Sequence, residues 1–384
     1  MLTLAHSIHS YPRLTEGWIT TQIRHQRRCP QVVWTQYGSE PAPEGVTVHQ
    51  VPGRPWLSFA ESIRHAYYPW RYGGLVRHDR PDVLLAHFAD EAYRLLPTAM
   101  AHGLPLLVRC YGYDISALPQ QGHWLQRLQR LFALAAGFLV EGPSMGAQLV
   151  GMGCPADKVH VLPLGVSTVD IPWHARRDDG ESPIRVLMAA SLREKKGHTF
   201  GFSALAAVLA QHPRLEVTVI GDGPLRRPLQ DQVAASALAG RVRWLGAQPH
   251  EVLLEAMASH HLFLHPSVTA GDGDSEGGAP LVLLEAQASG LPVISSIHAD
   301  IPHVMRPGIS GLVAPERDVQ SLITALRYLL EHPGRWAEMG EEGRRFISQH
   351  FDPERLGEAL ADLAMAHVRR QNVPQSQLAL HPQE

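Results

Sequence analysis

The chain has 384 residues, 45% of them hydrophobic and 18% charged, with a formal net charge of -3. That length exceeds one typical domain and suits two, each able to bury its own core; the composition excludes a disordered chain and offers no basic surplus for binding nucleic acid. The three cysteines, Cys29, Cys110 and Cys154, stand far apart without CxxC spacing, which argues against a disulfide framework and fits a reducing cytoplasm.

Met1 to Ser7 is apolar, lacks a basic n-region and runs straight into His9, Pro12 and Arg13, so it reads as a first strand rather than a signal peptide. Next, Trp56 to His78 interleaves Trp56, Phe59, Tyr67, Tyr68, Trp70 and Tyr72 with Arg64, Arg71 and Arg77. Aromatic rings among arginines suit an anionic interface, which predicts a peripheral contact of residues 56–78 with the inner face of the plasma membrane or with a lipid-linked acceptor. Strand-length apolar runs follow at Val83 to His87, Leu106 to Arg109 and Gly137 to Val140, each trailed by a longer helical pattern. The longest apolar run, Leu131 to Val140, is far short of the ~20 residues that span a bilayer.

Between Pro163 and Pro183 the pattern lapses into a polar, turn-rich stretch with Pro172, Arg176, Arg177, Asp178, Asp179 and Gly180, read as a linker over 166–183. Strands resume at Ile184 to Met188, Leu215 to Ile220, Val242 to Leu245, Leu262 to His265 and Pro292 to Ser295. Alternating strand and helix on both sides of the linker predicts an α/β protein with parallel sheets, domains at 1–165 and 184–352. A last helix over 353–371, apolar at Leu356, Leu360, Leu363, Ala364 and Val368, is expected to pack back on the first domain, and 372–384 to be a disordered tail.

The most informative stretch is Gly271 to Gly290, GDGDSEGGAPLVLLEAQASG. Gly277 and Gly278 permit close backbone approach, Pro280 suits a first helical turn and Gly290 a position just past a helix end, so a helix is expected from Pro280 to Ser289. Its free N–H groups form an anion site. Leu281 to Leu284 and Ala286 make it apolar almost all round, which leaves Glu285 a buried carboxylate in need of donors such as the two hydroxyls of a ribose. A second cluster, Ser191 to Gly197, joins a strand end to a helix start. Of 34 basic residues only Lys158, Lys195 and Lys196 are lysines, so an adjacent pair in this loop, at the strand end where α/β sheets bind ligands, points to phosphate oxygens.

These motifs resemble glycosyltransferase family 4, and the likeness runs over nearly the whole chain. The resemblance implies a GT-B fold of two facing Rossmann-like domains, retaining transfer of a sugar from a nucleotide-diphosphate donor to a glycan or lipid-linked acceptor, and a role in surface polysaccharide synthesis. Glu276 and Glu285 match the family's paired carboxylates for donor sugar and ribose, and Lys196 in KKGH its diphosphate lysine, with Lys195 and Arg193 beside it. Ile220 to Pro224 matches the IGDGP turn through Gly221, and PRLTEGW the opening loop through Gly17. LLAHFAD matches an H-F element at a strand end and YGYDIS the HGYD loop, which makes His87 and Asp114 the first domain's candidates for catalysis beside Lys196 and Glu276. Three departures stand out: Glu276 and Glu285 enclose eight residues, one more than the family's E-x7-E; Ser191 replaces an arginine; and Tyr111 replaces the histidine of HGYD.

No cofactor is called for, since the nucleotide sugar is a substrate. A metal is not expected either: Asp272-x-Asp274-x-Glu276 begins like a calcium loop but reaches Leu283 where the bidentate glutamate belongs, and 23 histidines include no H-E-x-x-H set. No G-x-G-x-x-G follows the first strand, which weighs against a nicotinamide enzyme. A nucleotide-sugar epimerase of the same fold and a non-catalytic binder remain the alternatives.

Overall fold

The computed structural model describes residues 2–11, 17–38, 43–51 and 61–372, with side chains left aside at 61–66 and 370–372. The expected tail, the opening loop at 12–16, and Trp56 and Phe59 lie outside the described residues. The chain divides into two compact units, Met1–Gly165 with Pro353–Glu384, and Val166–Asp352.

In the first unit the strands are β1 (Leu4–Ser10), β2 (Gln31–Tyr37), β3 (Thr47–Gln50), β4 (Val83–His87), β5 (Leu106–Arg109), β6 (Gly137–Val140) and β7 (Val159–Val161). They form one sheet in the order β3-β2-β1-β4-β5-β6-β7, with every pairing parallel and β1 in register with both neighbours, Leu4 opposite Gln31 and Val83. Alternate residues of β4 show why: Leu84 and Ala86 join a core with Trp34, Tyr72, Leu95 and Phe132, while Val83 and Leu85 join another with Leu4, Leu107, Leu360 and Ala364. A strand buried on both faces reads as an unbroken apolar run, which is how β4 reads. Leu360 and Ala364 belong to the last helix, Pro353–Asn372, so that helix covers one face of this sheet.

The second unit contains β8 (Ile184–Ala189), β9 (Leu215–Ile220), β10 (Val242–Gly246), β11 (Leu262–His265), β12 (Val293–Ser296) and β13 (Gly311–Ala314), all parallel, in the order β10-β9-β8-β11-β12-β13. Here too Leu262 and Leu264 face one core and Phe263 the other. The order reverses direction on either side of β8, which places β8 and β11 at the switch point where a crevice opens outside the strand ends. Arg176, from the stretch read as a linker, is buried. Its guanidinium donates to the carbonyls of Met257, Ala258 and Ser289 at 2.8–2.9 Å, capping two helix ends, and burial lowers its pKa to about 10.

Candidate functional site

The carboxyl ends of β8, β9 and β11 meet through loops that depend on glycine. Gly197 follows Lys196 at φ 66°, and a Cβ there would sit 1.8 Å from the Pro266 carbonyl oxygen; Gly221 after β9 has φ 135°, and its Cβ would sit 1.9 Å from the Ala190 carbonyl oxygen. Any side chain at either position would push the loops apart. The tight turn at Gly197 ends the short helical turn Glu194–Lys196 and starts the helix His198–Leu209, which fixes where the lysines point.

Lys196 Nζ donates to Glu276 Oε2 at 2.7 Å, and Ser267 Oγ donates to Glu276 Oε1 at 2.8 Å. His265 Nε2 lies 3.6 Å from Glu276 Oε1, and the backbone N–H of Glu276 donates to His298 Nε2 at 3.1 Å. Burial pushes the Glu276 carboxyl up, but the Lys196 ammonium and the His265 ring outweigh it and hold the group well below the usual carboxylate range. His298 is itself oriented by Glu316, with Nδ1 2.6 Å from Oε1. The Lys195 ammonium donates to Asp274 Oδ1 at 3.0 Å and to the Ser275 carbonyl at 3.1 Å. The acidic loop folds over the basic one, so both lysines find a carboxylate.

The helix Leu281–Ala288 is one residue shorter at each end than expected and is buried from Leu283 to Ala288, Glu285 included. Glu285 Oε1 lies 2.8 Å from His250 Nε2, a hydrogen bond that raises the His250 pKa. Gly277 takes φ 73°, and the Gly278 carbonyl accepts the Asp300 N–H at 3.2 Å. Arg193 and Ser191 are exposed, and Arg193 makes no ion pair among the described residues. The site thus carries two ammonium groups, two buried carboxylates and glycine turns that let a ligand approach backbone: groups suited to a diphosphate and to sugar hydroxyls. His250, His265, Ser267, His298 and Glu316 escaped the sequence reading. Three of them, His265, Ser267 and His298, stand at or just past the ends of β11 and β12, so polar residues at strand termini were the available signal.

The first unit's candidates are placed differently. His87 ends β4 fully buried, its Nε2 3.0 Å from His6 Nδ1 and its Nδ1 2.8 Å from the Tyr111 hydroxyl; burial, aided by the charge of Arg109, drives its pKa well down. Asp114 accepts the N–H of Ala89 at 2.8 Å and that of Tyr111 at 2.7 Å. Between His87 and Ala89, Phe88 is held at φ 74°, ψ 148°, a strained conformation for a residue with a side chain. Burial raises the Asp114 carboxyl to about 8, against the pull of those two donors. Gly17 opens the helix Gly17–His25, with free space where a Cβ would be.

Two all-parallel units of seven and six strands, the second with lysines, buried glutamates and glycine turns at its strand ends, define a protein of the GT-B fold. HepE from Anabaena in complex with UDP and glucose superposes with a TM-score of 0.76 at 16% identity, over 95% of this chain and all of that one. The lipopolysaccharide outer core galactosyltransferase WaaB superposes at 0.71, also at 16% identity, over 97% of this chain and 100% of that one. In sequence, "Glycosyltransferase Family 4" matches residues 24–170 and "Glycosyl transferases group 1" residues 172–346. The amylovoran biosynthesis glycosyltransferase AmsK of Erwinia amylovora is 33% identical over 290 residues, 74% of this chain and 70% of its own length. A putative colanic acid biosynthesis glycosyltransferase, WcaL of Salmonella typhimurium, is 29% identical over 287 residues, 73% and 70%. The chain belongs to glycosyltransferase family 4 and is a glycosyltransferase.

Proposed function

We propose that the second unit binds a nucleotide-diphosphate sugar and that the enzyme transfers the sugar, with retention, to a glycan or lipid-linked acceptor in exopolysaccharide synthesis, the process named for AmsK and WcaL. The observation that carries this reading is the pairing of Lys196 with Glu276 at the switch point of the sheet, beside a buried Glu285 whose present partner is the half-exposed His250. On this reading Glu285 accepts the ribose hydroxyls, Glu276 orients the donor sugar, and Lys196, with Lys195 and Arg193 nearby, faces the diphosphate. As the anomeric C–O bond breaks, negative charge grows on the leaving diphosphate, and a lysine already in place stabilises it without reorganisation. Asp274 is engaged by Lys195, and Asp272 Oδ1 accepts the Asp274 N–H, which supports a reaction that draws on no divalent metal there.

Among the described residues no helix is long and apolar enough to cross a membrane. On the first unit, Trp70 is 65% exposed with Arg71 stacked on it, beside a cavity of about 470 Å³ walled by Tyr68, Pro69, Tyr93, Arg94, Trp124 and Arg127. Aromatic walls with arginines support a peripheral contact with an anionic membrane surface through residues 56–78, of which the side chains of 67–78 are described. The test combines a donor screen with turnover. Thermal shift over a panel of nucleotide sugars should single out a stabilising donor, and free nucleoside diphosphate should then appear only when acceptor is added. An isomerised sugar nucleotide would instead establish an epimerase, and tight binding with no turnover a non-catalytic binder.

A further inference from the structure

We propose that His49, His78 and Asp79 form a binding site for a transition-metal dication of the zinc type, separate from the donor site. His49 lies on the edge strand β3, opposite Trp34 of β2, and His78 and Asp79 end the helix Glu61–Asp79. That helix stops where Arg80 turns to φ 49° with its N–H on the Val76 carbonyl, and the stop presents the two side chains to the sheet edge. One nitrogen from each ring and one Asp79 oxygen lie within 4.8 Å of one another. Asp79 Oδ1 is 3.0 Å from His49 Nε2 and 2.6 Å from His78 Nδ1.

Three features favour a metal over a plain hydrogen-bonded cluster. His49 Nε2 is a buried atom 3.0 Å from Asp79 Oδ1 that makes no hydrogen bond, so a polar ring nitrogen beside the carboxylate is left unsatisfied. Asp79 is nearly buried, and its other oxygen accepts the Trp34 indole N–H at 2.7 Å, the kind of outer contact that orients a ligating carboxylate. Two imidazoles and one carboxylate, with the exposed side of His78 open to water, are the ligand set that borderline dications prefer. With metal–ligand distances of about 2.0–2.2 Å, tetrahedral ligand atoms stand about 3.3–3.5 Å apart, so binding requires the carboxylate to draw back from each ring by under about 1 Å as the cation takes the place of the proton between His78 and Asp79.

The three residues belong to the first unit, whereas Lys196, Glu276 and Glu285 belong to the second, so the ion would act as a clip tying the short edge strand β3 to the helix. The full chain, stripped with chelator, is titrated with Zn²⁺ and with Co²⁺ and then passed through gel filtration. One equivalent should be retained, with the visible absorption of a tetrahedral cobalt site and a metal-dependent rise in Tm. His78→Gln, at an exposed position, and the pair His49→Gln/His78→Gln should each weaken retention by about tenfold or more and abolish both signals. No retained metal in the wild type would overturn the proposal and leave an imidazole–carboxylate cluster only. Equal retention in the double variant would overturn it too, assigning the binding to others among the 23 histidines. None of these residues belongs to the donor site, so either failure leaves that reading untouched.

Discussion

The carboxyl ends of β4 and β5 in the first unit and those of β8 and β11 in the second are built from the same parallel scaffold, yet their polar groups are bound in different ways. His87 has both ring nitrogens, and Asp114 both oxygens, engaged by neighbours that are themselves buried or are backbone amides. Lys196, Glu276 and Glu285 are instead paired with other side chains, and the Glu285 partner His250 is half-exposed. A backbone amide cannot leave without unmaking the turn, whereas a side chain can swing aside for a ligand. The first arrangement is suited to holding the fold, and the second to being traded for a substrate.

Substitutions on each side separate these two uses. The largest effect is expected at Lys196→Ala, which should raise the barrier to transfer by roughly 2–4 kcal/mol, the size of losing one preorganised charge stabiliser, in a variant that still folds but has a lowered Tm, because the buried Glu276 carboxylate loses its ammonium. Lys195→Ala should cost less, since Asp274 already takes its charge, and Arg193→Ala is the informative companion: a loss as large as that of Lys196 would mean that Arg193 supplies the charge missing at Ser191. Turnover by Lys196→Ala close to wild type, with activity abolished by chelator, would break the comparison at its strongest point.

Glu285→Gln keeps the volume but trades a charged acceptor for a neutral one, so donor affinity measured by calorimetry should fall by roughly 1.5–3 kcal/mol. An unchanged affinity in the folded variant removes Glu285 from the donor site.

On the other side, Asp114→Asn should lower stability by roughly 1–3 kcal/mol, because an amide nitrogen would face one of two backbone donors, and should leave donor affinity unchanged. Its pH signature is a second readout. The folded carboxyl titrates near 8, above its ordinary value of 3.8, so its contribution is fully present below about 3.8 and is lost as pH rises through about 8. Denaturant midpoints of the wild type should decline across that window, and those of Asp114→Asn should lack that component. A variant that loses donor binding with full stability would move Asp114 from the first use to the second.

Much of this architecture was readable from residue order. Val83–His87, Leu106–Arg109, Gly137–Val140, Leu215–Ile220 and Leu262–His265 are strands at the bounds their apolar runs suggest, because central strands of a parallel sheet are buried on both faces. The first strand runs three residues later than expected, Leu4–Ser10. Four strands left no such run. β2, QVVWTQY, carries buried Gln31 and Gln36, satisfied by His6 and Glu91; β3 is a half-polar edge strand of four residues; β7 and β13 are three and four residues long. Polar groups whose partners lie far along the chain hide a strand from any local pattern.

Sequence by itself determined what depends on near neighbours: two α/β units, a helix that must bury a glutamate, a scarce lysine pair at a strand end, and the motifs of family 4. Tertiary structure alone decided which of those groups touch. Lys196 and Glu276 come from loops 80 residues apart, and only the adjacency of β8 and β11 brings them to 2.7 Å. His250 meets Glu285, Asp114 locks the turn at Phe88, and His49 reaches Asp79, each through strand order and helix placement. The physical reason is that hydrogen bonds and ion pairs act over about 3 Å of space regardless of chain separation, while composition and periodicity report only on residues a few positions apart.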